Sequence, residues 1–240
     1  MTVRVAMWSG PRNISTAMMR SWESRPDTKV VDEPFYACYL HSSGEDHPMA
    51  TQVMNSQSTD WQTVIKELTT DACNTGVFYQ KHMTHHMLPG LDLKWTSNLL
   101  HCFLIRDPEY VVSSYVQKRS TVSGDDIGII RQLELYEQIC EITGQAIPVI
   151  DARKTLEDPE RTLQVLCEKL VLPFYKEMLQ WPQGKRATDG VWASHWYGVV
   201  EQSSGFAPFR EPRIDLTPEQ KIVAEQSRSA YNTLLDLGFN

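Results

Sequence analysis

Residues 3–22 read VRVAMWSGPRNISTAMMRSW. Residues 3–8 are a short apolar run suited to a buried strand, closed by Ser9-Gly10-Pro11. Apolar side chains then recur at helical spacing from Ile14 to Trp22, until Arg25-Pro26-Asp27 stops the helix. A strand that enters a helix through a short loop of small residues aims backbone N–H groups and the helix dipole at one point, which suits an anion. Arg12 adds a fixed charge there, and Ser15 and Thr16 add hydroxyl donors. The loop is not a GxxxxGK[ST] phosphate loop, because it contains no lysine. A helix N-terminus with ordinary capping is the plainer alternative.

Outward from this unit the alternation continues. Residues 28–31 are β-branched or follow a β-branched start and close on Asp32-Glu33-Pro34; residues 76–81 (GVFYQK), 99–105 (LLHCFLI) and 147–150 predict three further strands. Helices are expected over 60–74, from Pro108 towards Arg119 with Asp107 as N-cap, over 126–143, and from Asp158-Pro159 to about Leu170. Residues 41–59 are rich in Ser, Gly and Asp and predict a long loop, of the kind that serves as a lid. Beyond Leu172, prolines at 173, 182, 208 and 212 punctuate a tail rich in Trp and Tyr, and Thr217-Pro218-Glu219-Gln220 is a capping box for a last helix to about Leu237. Strands alternating with helices predict an α/β fold, a mostly parallel sheet covered on both faces in three layers. The chain reads as one domain over 1–240, with a core at 1–172 and an extension at 173–240.

Bulk composition narrows the partners. Of 240 residues, 41% are hydrophobic and 22% charged, which is ordinary globular usage. The net charge of −7 argues against a nucleic-acid surface. No apolar stretch reaches the length of a membrane span, and the N-terminal apolar run is too short for a secretory signal. The five cysteines lie far apart without a CxxC pair, which suits reduced thiols and a cytoplasmic protein. Oligomeric state leaves no signal in the sequence.

In such a sheet, ligands bind beyond the carboxyl ends of the strands. The fourth predicted strand ends in Arg106, and Ser114 follows with seven residues between, about two turns into the next helix on the face near the strand end. An arginine and a hydroxyl converging there suit a second phosphate; alone, the pair reads as a capping arginine and a helix serine. The second strand delivers Glu33, and the third delivers Lys81-His82-Met83-Thr84-His85-His86. The spacing HxxHH lacks the carboxylate of HExxH and has no cysteine nearby, so no metal is expected.

Together the loop and the Arg106–Ser114 pair resemble the sulfotransferase family, which has a P-loop type architecture and uses 3′-phosphoadenosine-5′-phosphosulfate. Pro11-Arg12-Asn13-Ile14-Ser15-Thr16 stands where that family has Pro-Lys-Ser-Gly-Thr-Thr, with arginine for the lysine and isoleucine for the glycine. The resemblance covers about the first 150 residues and is closest to bacterial sulfotransferase-like proteins with a Gly-Pro-Arg loop. It implies that Gly10, Pro11, Arg12, Asn13, Ile14, Ser15 and Thr16 hold the 5′-phosphosulfate, and that Arg106 and Ser114 hold the 3′-phosphate. It also implies that Glu33 or His82 is the general base, and that Lys81 and Arg12 stabilise charge on the transferring group. Lys185-Arg186, before Asp189-Gly190-Val191-Trp192, is similar to a basic segment that closes over the 3′-phosphate in the family. Trp192, Trp196 and Tyr197 read as core. The implied activity is sulfuryl transfer to a small hydroxyl- or amine-bearing acceptor without a metal. Two alternatives stand beside it: a Mg²⁺-dependent small-molecule kinase, which would need a lysine on the phosphates, and a nucleotide-binding protein without turnover.

Overall fold

The computed structural model describes residues 2–45, 47–117, 119 and 121–239. Strands β1 (Val3–Ser9), β2 (Thr28–Asp32), β3 (Val77–Met83), β4 (Leu100–Ile105) and β5 (Val149–Asp151) form one sheet in the order β2-β3-β1-β4-β5. Every neighbouring pair is parallel. Helices α1 (Ser15–Glu23), α2 (Tyr36–Ser43), α3 (Ala50–Ser56), α4 (Trp61–Thr69), α5 (Pro108–Tyr115), α6 (Gly124–Ile127), α7 (Ile129–Thr143), α8 (Ala152–Glu157) and α9 (Pro159–Lys169) intervene. The tail adds α10 (Ala193–Trp196), α11 (Gly198–Glu201), α12 (Pro218–Gln226) and α13 (Arg228–Asp236).

The three layers follow from the period-2 geometry of a strand. On β1, Val5 and Met7 pack with Met18 and Trp22 of α1 and Leu163 and Leu166 of α9. Ala6 and Trp8 point the other way and join Phe103 of β4, Leu135 and Ile139 of α7 and Leu234 of α13. With both faces covered, the strands are largely apolar, the buried Gln80, Lys81 and His82 of β3 being the main departure. Since β1 pairs with β3 on one side and β4 on the other, successive crossovers leave it in opposite directions and open a crevice beyond Ser9.

Two close approaches shape that crevice. A Cβ on Gly10 would stand 3.0 Å from the Ile127 carbonyl oxygen, so a side chain there would push the loop away from the α6–α7 corner by a few tenths of an ångström. At the corner itself, Gly128 has φ 66° and is both the C-cap of α6 and the N-cap of α7. The single helix expected over 126–143 is therefore two.

Other expectations change as well. Residues 41–59 are not one long loop: α2 runs on to Ser43 and α3 occupies Ala50–Ser56. Val53 is the one buried residue of α3, packing with Leu40, Tyr36 and Trp192, and a single inward anchor leaves no periodic signal. The helix after Pro108 stops at Tyr115, short of Arg119. The last helix is broken at fully buried Ser227 into α12 and α13.

At the end of α9, the Leu172 N–H donates to the Cys167 carbonyl at 2.8 Å, with Val171 between them at φ 56°. This left-handed position is one that glycine occupies without strain and a β-branched residue does not. The Val171 side chain is 90% exposed and packs on little. Val171→Gly is therefore expected to stabilise the protein by roughly 1 kcal/mol, part of the relief being offset by the more flexible unfolded chain. Urea unfolding checks this; a lower midpoint for the glycine variant would contradict it.

Candidate active site

Among the described residues, six helices carry side-chain N-caps: Asp60, Asp107, Ser123, Asp151, Asp158 and Thr217 cap α4, α5, α6, α8, α9 and α12. Helix α1 has none and no acidic residue in its first turn. Asn13 takes the Ile14 N–H on its Oδ1 (2.8 Å) and anchors to the Leu104 carbonyl through Nδ2 (3.0 Å). The N–H groups of Ser15, Thr16 and Ala17 are left without intrahelical partners at the positive end of the dipole. Ser15 is buried, and Pro11 packs beside Gly128.

Arg12, Ser114 and Arg106, distant in sequence, meet at this loop. Arg12 Nε donates to Ser114 Oγ at 3.0 Å, and Arg106 donates to the Arg12 carbonyl at 2.5 Å. The Arg12 guanidinium also lies 5.9 Å from the Trp196 ring centre. Among the described residues no carboxylate lies within ion-pair distance of either guanidinium. Burial lowers the pKa of both, and the charge of Arg12 lowers that of Arg106 further. Beside Arg106 opens a cavity of 430 Å³, lined also by Tyr110, Arg153, Phe209, Arg210 and Tyr231.

A second cluster lies at the ends of β2 and β3. Parallel register sets Asp32 beside Lys81. The Lys81 ammonium, 1% exposed, donates to Asp32 Oδ1 (2.8 Å), Glu33 Oε1 (2.6 Å) and the Tyr197 hydroxyl (2.7 Å). Burial opposes its charge, but Asp32 and Glu33 overcome that, and its pKa stands well above the ordinary lysine value. Burial raises the Glu33 pKa; Lys81 draws it back and Asp32 pushes it further up. Glu33 has φ 41°, as Arg12 has φ 55°. Its backbone is held by an N–H bond to the Lys81 carbonyl (2.9 Å) and by donation from Tyr36 N (3.0 Å) and Gln57 Nε2 (3.2 Å) to its own carbonyl.

Neighbouring residues on a strand face opposite ways, so His82 leaves this cluster. It is 1% exposed, stacks on Trp8 with ring centres 4.4 Å apart, and its Nε2 lies 3.1 Å from Gln80 Oε1. Burial and then His101 pull its pKa down to about 3. His86 stands nearer Glu33: its Nε2 is 3.9 Å from Glu33 Oε2, and its ring stacks between Tyr36 (4.5 Å) and Tyr39 (5.0 Å). The Nδ1 atoms of His85 and His86 are buried without a hydrogen-bond partner. Burial holds both imidazoles neutral, His85 at about 4 and His86 well below its ordinary value. Among the described residues no group of three His, Cys, Asp or Glu side chains is arranged to hold a metal.

The tail is placed otherwise than the sequence implies. Arg186 donates to the Pro182 carbonyl (2.7 Å) and lies 3.9 Å from Glu23, at the far end of α1 from the loop. The segment that reaches the cavity beside Arg106 carries Phe209 and Arg210 instead. Asp189 pairs with buried Arg20 at 2.7 Å, and the Gly190 N–H donates to Asp32 Oδ2 at 3.2 Å. Trp192 and Tyr197 are buried, yet the Tyr197 hydroxyl donates to Asp32 Oδ2 (2.7 Å) and accepts from Lys81 and from Trp192 Nε1 (3.1 Å). Lys81 and Tyr197 are 116 positions apart in sequence, so no local pattern announces that contact.

Comparison with known proteins bears on this arrangement. The chain is similar to a sulfotransferase domain from the curacin biosynthetic pathway, with TM-score 0.54 and 15% identity over 94% of this chain and 97% of that one. It is similar to a sulfotransferase from Alicyclobacillus acidocaldarius, with TM-score 0.53 and 9% identity over 98% and 96% of the two chains. A mouse sulfotransferase complexed with PAP gives TM-score 0.51 and 10% identity over 98% and 88%. At these identities the likeness is one of fold. Branched-chain-amino-acid aminotransferase-like proteins 1 and 2 of Arabidopsis thaliana are 36% and 34% identical to it over 228 residues. Those matches take in 95% of this chain and 40% of each relative, so the chain spans well under half the length of the curated relatives it matches. A family model described as a sulfotransferase domain matches residues 3–230, nearly the whole chain, and the chain belongs to that family.

Proposed function

We propose that the chain is a sulfotransferase that moves the sulfuryl group of 3′-phosphoadenosine-5′-phosphosulfate to the hydroxyl or amine of a small acceptor. One observation carries this reading. Two guanidinium groups that have no carboxylate partner among the described residues stand at an uncapped helix N-terminus, and the strained residues Arg12 and Glu33 both follow the carboxyl ends of strands of the same sheet. The donor set fits an anionic nucleotide: loop N–H groups and Arg12 for the 5′ end, Arg106 and Ser114 for the 3′-phosphate. The cavity lined by Tyr110, Phe209 and Arg210 adjoins Arg106 and offers room for the nucleoside.

The nucleotide supplies an activated sulfuryl group whose bond to the 5′-phosphate breaks with the electron pair leaving on that phosphate. Arg12 and the α1 amides stabilise the charge that develops there. Glu33, through Oε2, takes the acceptor's proton; Lys81 occupies Oε1 and fixes the direction of the carboxylate. His82 lies on the opposite face of β3 in the core, which favours Glu33 over it as base. The loop offers no lysine for a kinase-type phosphate contact. Left-handed φ at both Arg12 and Glu33 favours turnover over binding alone. Five unpaired thiols suit a reducing cytoplasm, and no described helix is long and apolar enough to cross a membrane.

Calorimetry tests the nucleotide site. Arg106→Ala is expected to weaken adenosine 3′,5′-bisphosphate by roughly 2–4 kcal/mol, since a charge-assisted pair is lost and the phosphate left unmatched. A nucleotide without the 3′-phosphate is expected to lose less, its share reflecting the Arg106 bond to the Arg12 carbonyl. Equal losses would reduce Arg106 to a support for the loop.

Steady-state turnover tests the base. Glu33→Gln is expected to lower kcat by about 10²–10⁴-fold with bisphosphate affinity nearly intact. His82→Ala is expected to lower the unfolding temperature, because a stacked core ring is removed, while turnover of the folded enzyme stays within a few-fold. A base must be ionised to act, and burial raises the Glu33 pKa, so activity is expected to fall with decreasing pH at a limb above the ordinary glutamate value of about 4.3. Turnover lost in His82→Ala and retained in Glu33→Gln would reverse the assignment.

A further inference from the structure

We propose that Tyr197 is a positioning residue for the transfer reaction: its hydroxyl sets where Lys81 stands between Asp32 and Glu33, and thereby leaves one oxygen of Glu33 available to the acceptor. The inference rests on the reading of Glu33 as the base. It comes from a count of donors and acceptors in the cluster. The Lys81 ammonium has three N–H donors, and Asp32 Oδ1, Glu33 Oε1 and the Tyr197 oxygen take all of them. The phenol donates its single proton to Asp32 Oδ2 and accepts from Lys81 and Trp192 Nε1, so its capacity is also filled. Asp32 Oδ2 receives the Gly190 N–H besides. Among the described residues, Glu33 Oε2 is the carboxylate oxygen of the cluster that receives no hydrogen bond; His86 Nε2 lies 3.9 Å from it.

The phenol is more than filler at this place. It spans the ammonium and the far oxygen of Asp32, so Asp32 is satisfied without drawing Lys81 off Glu33. Phenylalanine would deprive Asp32 of a donor and Lys81 of an acceptor in a site where both are 1% exposed. The ammonium then leans towards Asp32, and Glu33 holds its proton to higher pH. The groups facing Glu33 are Lys81, Asp32, Tyr197, Tyr36 and His86. Burial keeps the imidazole and both phenols neutral near pH 7, so the balance between Lys81 and Asp32 decides the shift. Tyr197 also follows Trp196, whose ring lies 5.9 Å from the Arg12 guanidinium, so the same tail segment touches both halves of the site.

The test uses the full chain labelled with ¹³C at glutamate carboxyls, the Glu33 resonance being identified by its loss in Glu33→Gln. In Tyr197→Phe the Glu33 titration is expected to move to higher pH and kcat to fall roughly tenfold to a hundredfold at neutral pH, with adenosine 3′,5′-bisphosphate binding within about twofold of the parent. In Asp32→Asn, which removes the charge that competes for Lys81, the titration is expected to move the opposite way. An unmoved Glu33 titration in Tyr197→Phe overturns the proposal; should that variant not fold, a titration that fails to move down in Asp32→Asn overturns it. Glu33→Gln with parental turnover would instead remove the base reading, whatever the titrations show.

Discussion

An ammonium buried at 1% exposure cannot be left alone, and much of this molecule is arranged around Lys81. Two carboxylates and a phenol surround it. Removing one partner of such a group leaves an uncompensated buried charge, typically at a cost of about 3–5 kcal/mol. The parallel pairing of β2 with β3 brings Asp32 to it, the left-handed turn at Glu33 brings the second carboxylate, and the tail brings Tyr197. One electrostatic requirement thus ties two strand ends to a segment more than a hundred residues away. The tail is further held by Arg20 on Asp189, so that α1, whose N-terminus faces the loop, also anchors the segment that completes the other half of the site.

The two halves are opposite in character. Around the β1 loop, burial lowers the pKa of both Arg12 and Arg106, and the charge of Arg12 lowers that of Arg106 further; their partners are a hydroxyl, a carbonyl and a ring, with no paired anion among the described residues. At the ends of β2 and β3 one ammonium faces two carboxylates, and among the described residues one oxygen of Glu33 receives no hydrogen bond. A chain with net charge −7 therefore carries a local site that favours anions, because a few donors held in place decide local potential and the distant surface charge is screened. Left-handed φ at Arg12 and Glu33 stores on the order of 1–3 kcal/mol at each position. Both strained residues are held by backbone hydrogen bonds with groups of the same site: Arg106 donates to the Arg12 carbonyl, Tyr36 and Gln57 donate to the Glu33 carbonyl, and the Glu33 N–H donates to the Lys81 carbonyl.

The legible part of the fold was its sheet. The five strands stand within two residues of where their apolar runs place them, since strands buried on both faces are written largely in apolar residues. The caps Asp107, Asp158 and Thr217 open helices where expected. What escaped were elements with one inward residue, such as α3, and helices interrupted by a single backbone feature, at Gly128 and Ser227. Lys81 and His82 adjoin in sequence, yet the strand turns them to opposite faces.

Sequence alone determined the α/β class, the strand–loop–helix that presents Arg12, and the placing of Glu33, Lys81 and Arg106 at strand ends. These are local properties: period, capping and the polarity of a strand's last residues are settled within about ten positions of the chain. Only the tertiary structure decided that Arg106 holds the Arg12 carbonyl, that Lys185-Arg186 lies away from it, and that Tyr197 completes the Lys81 cluster. Those contacts depend on strand order and on where a proline-punctuated tail settles. Both follow from burying the apolar faces of the whole chain while pairing every buried charge, a condition that no local window of sequence contains.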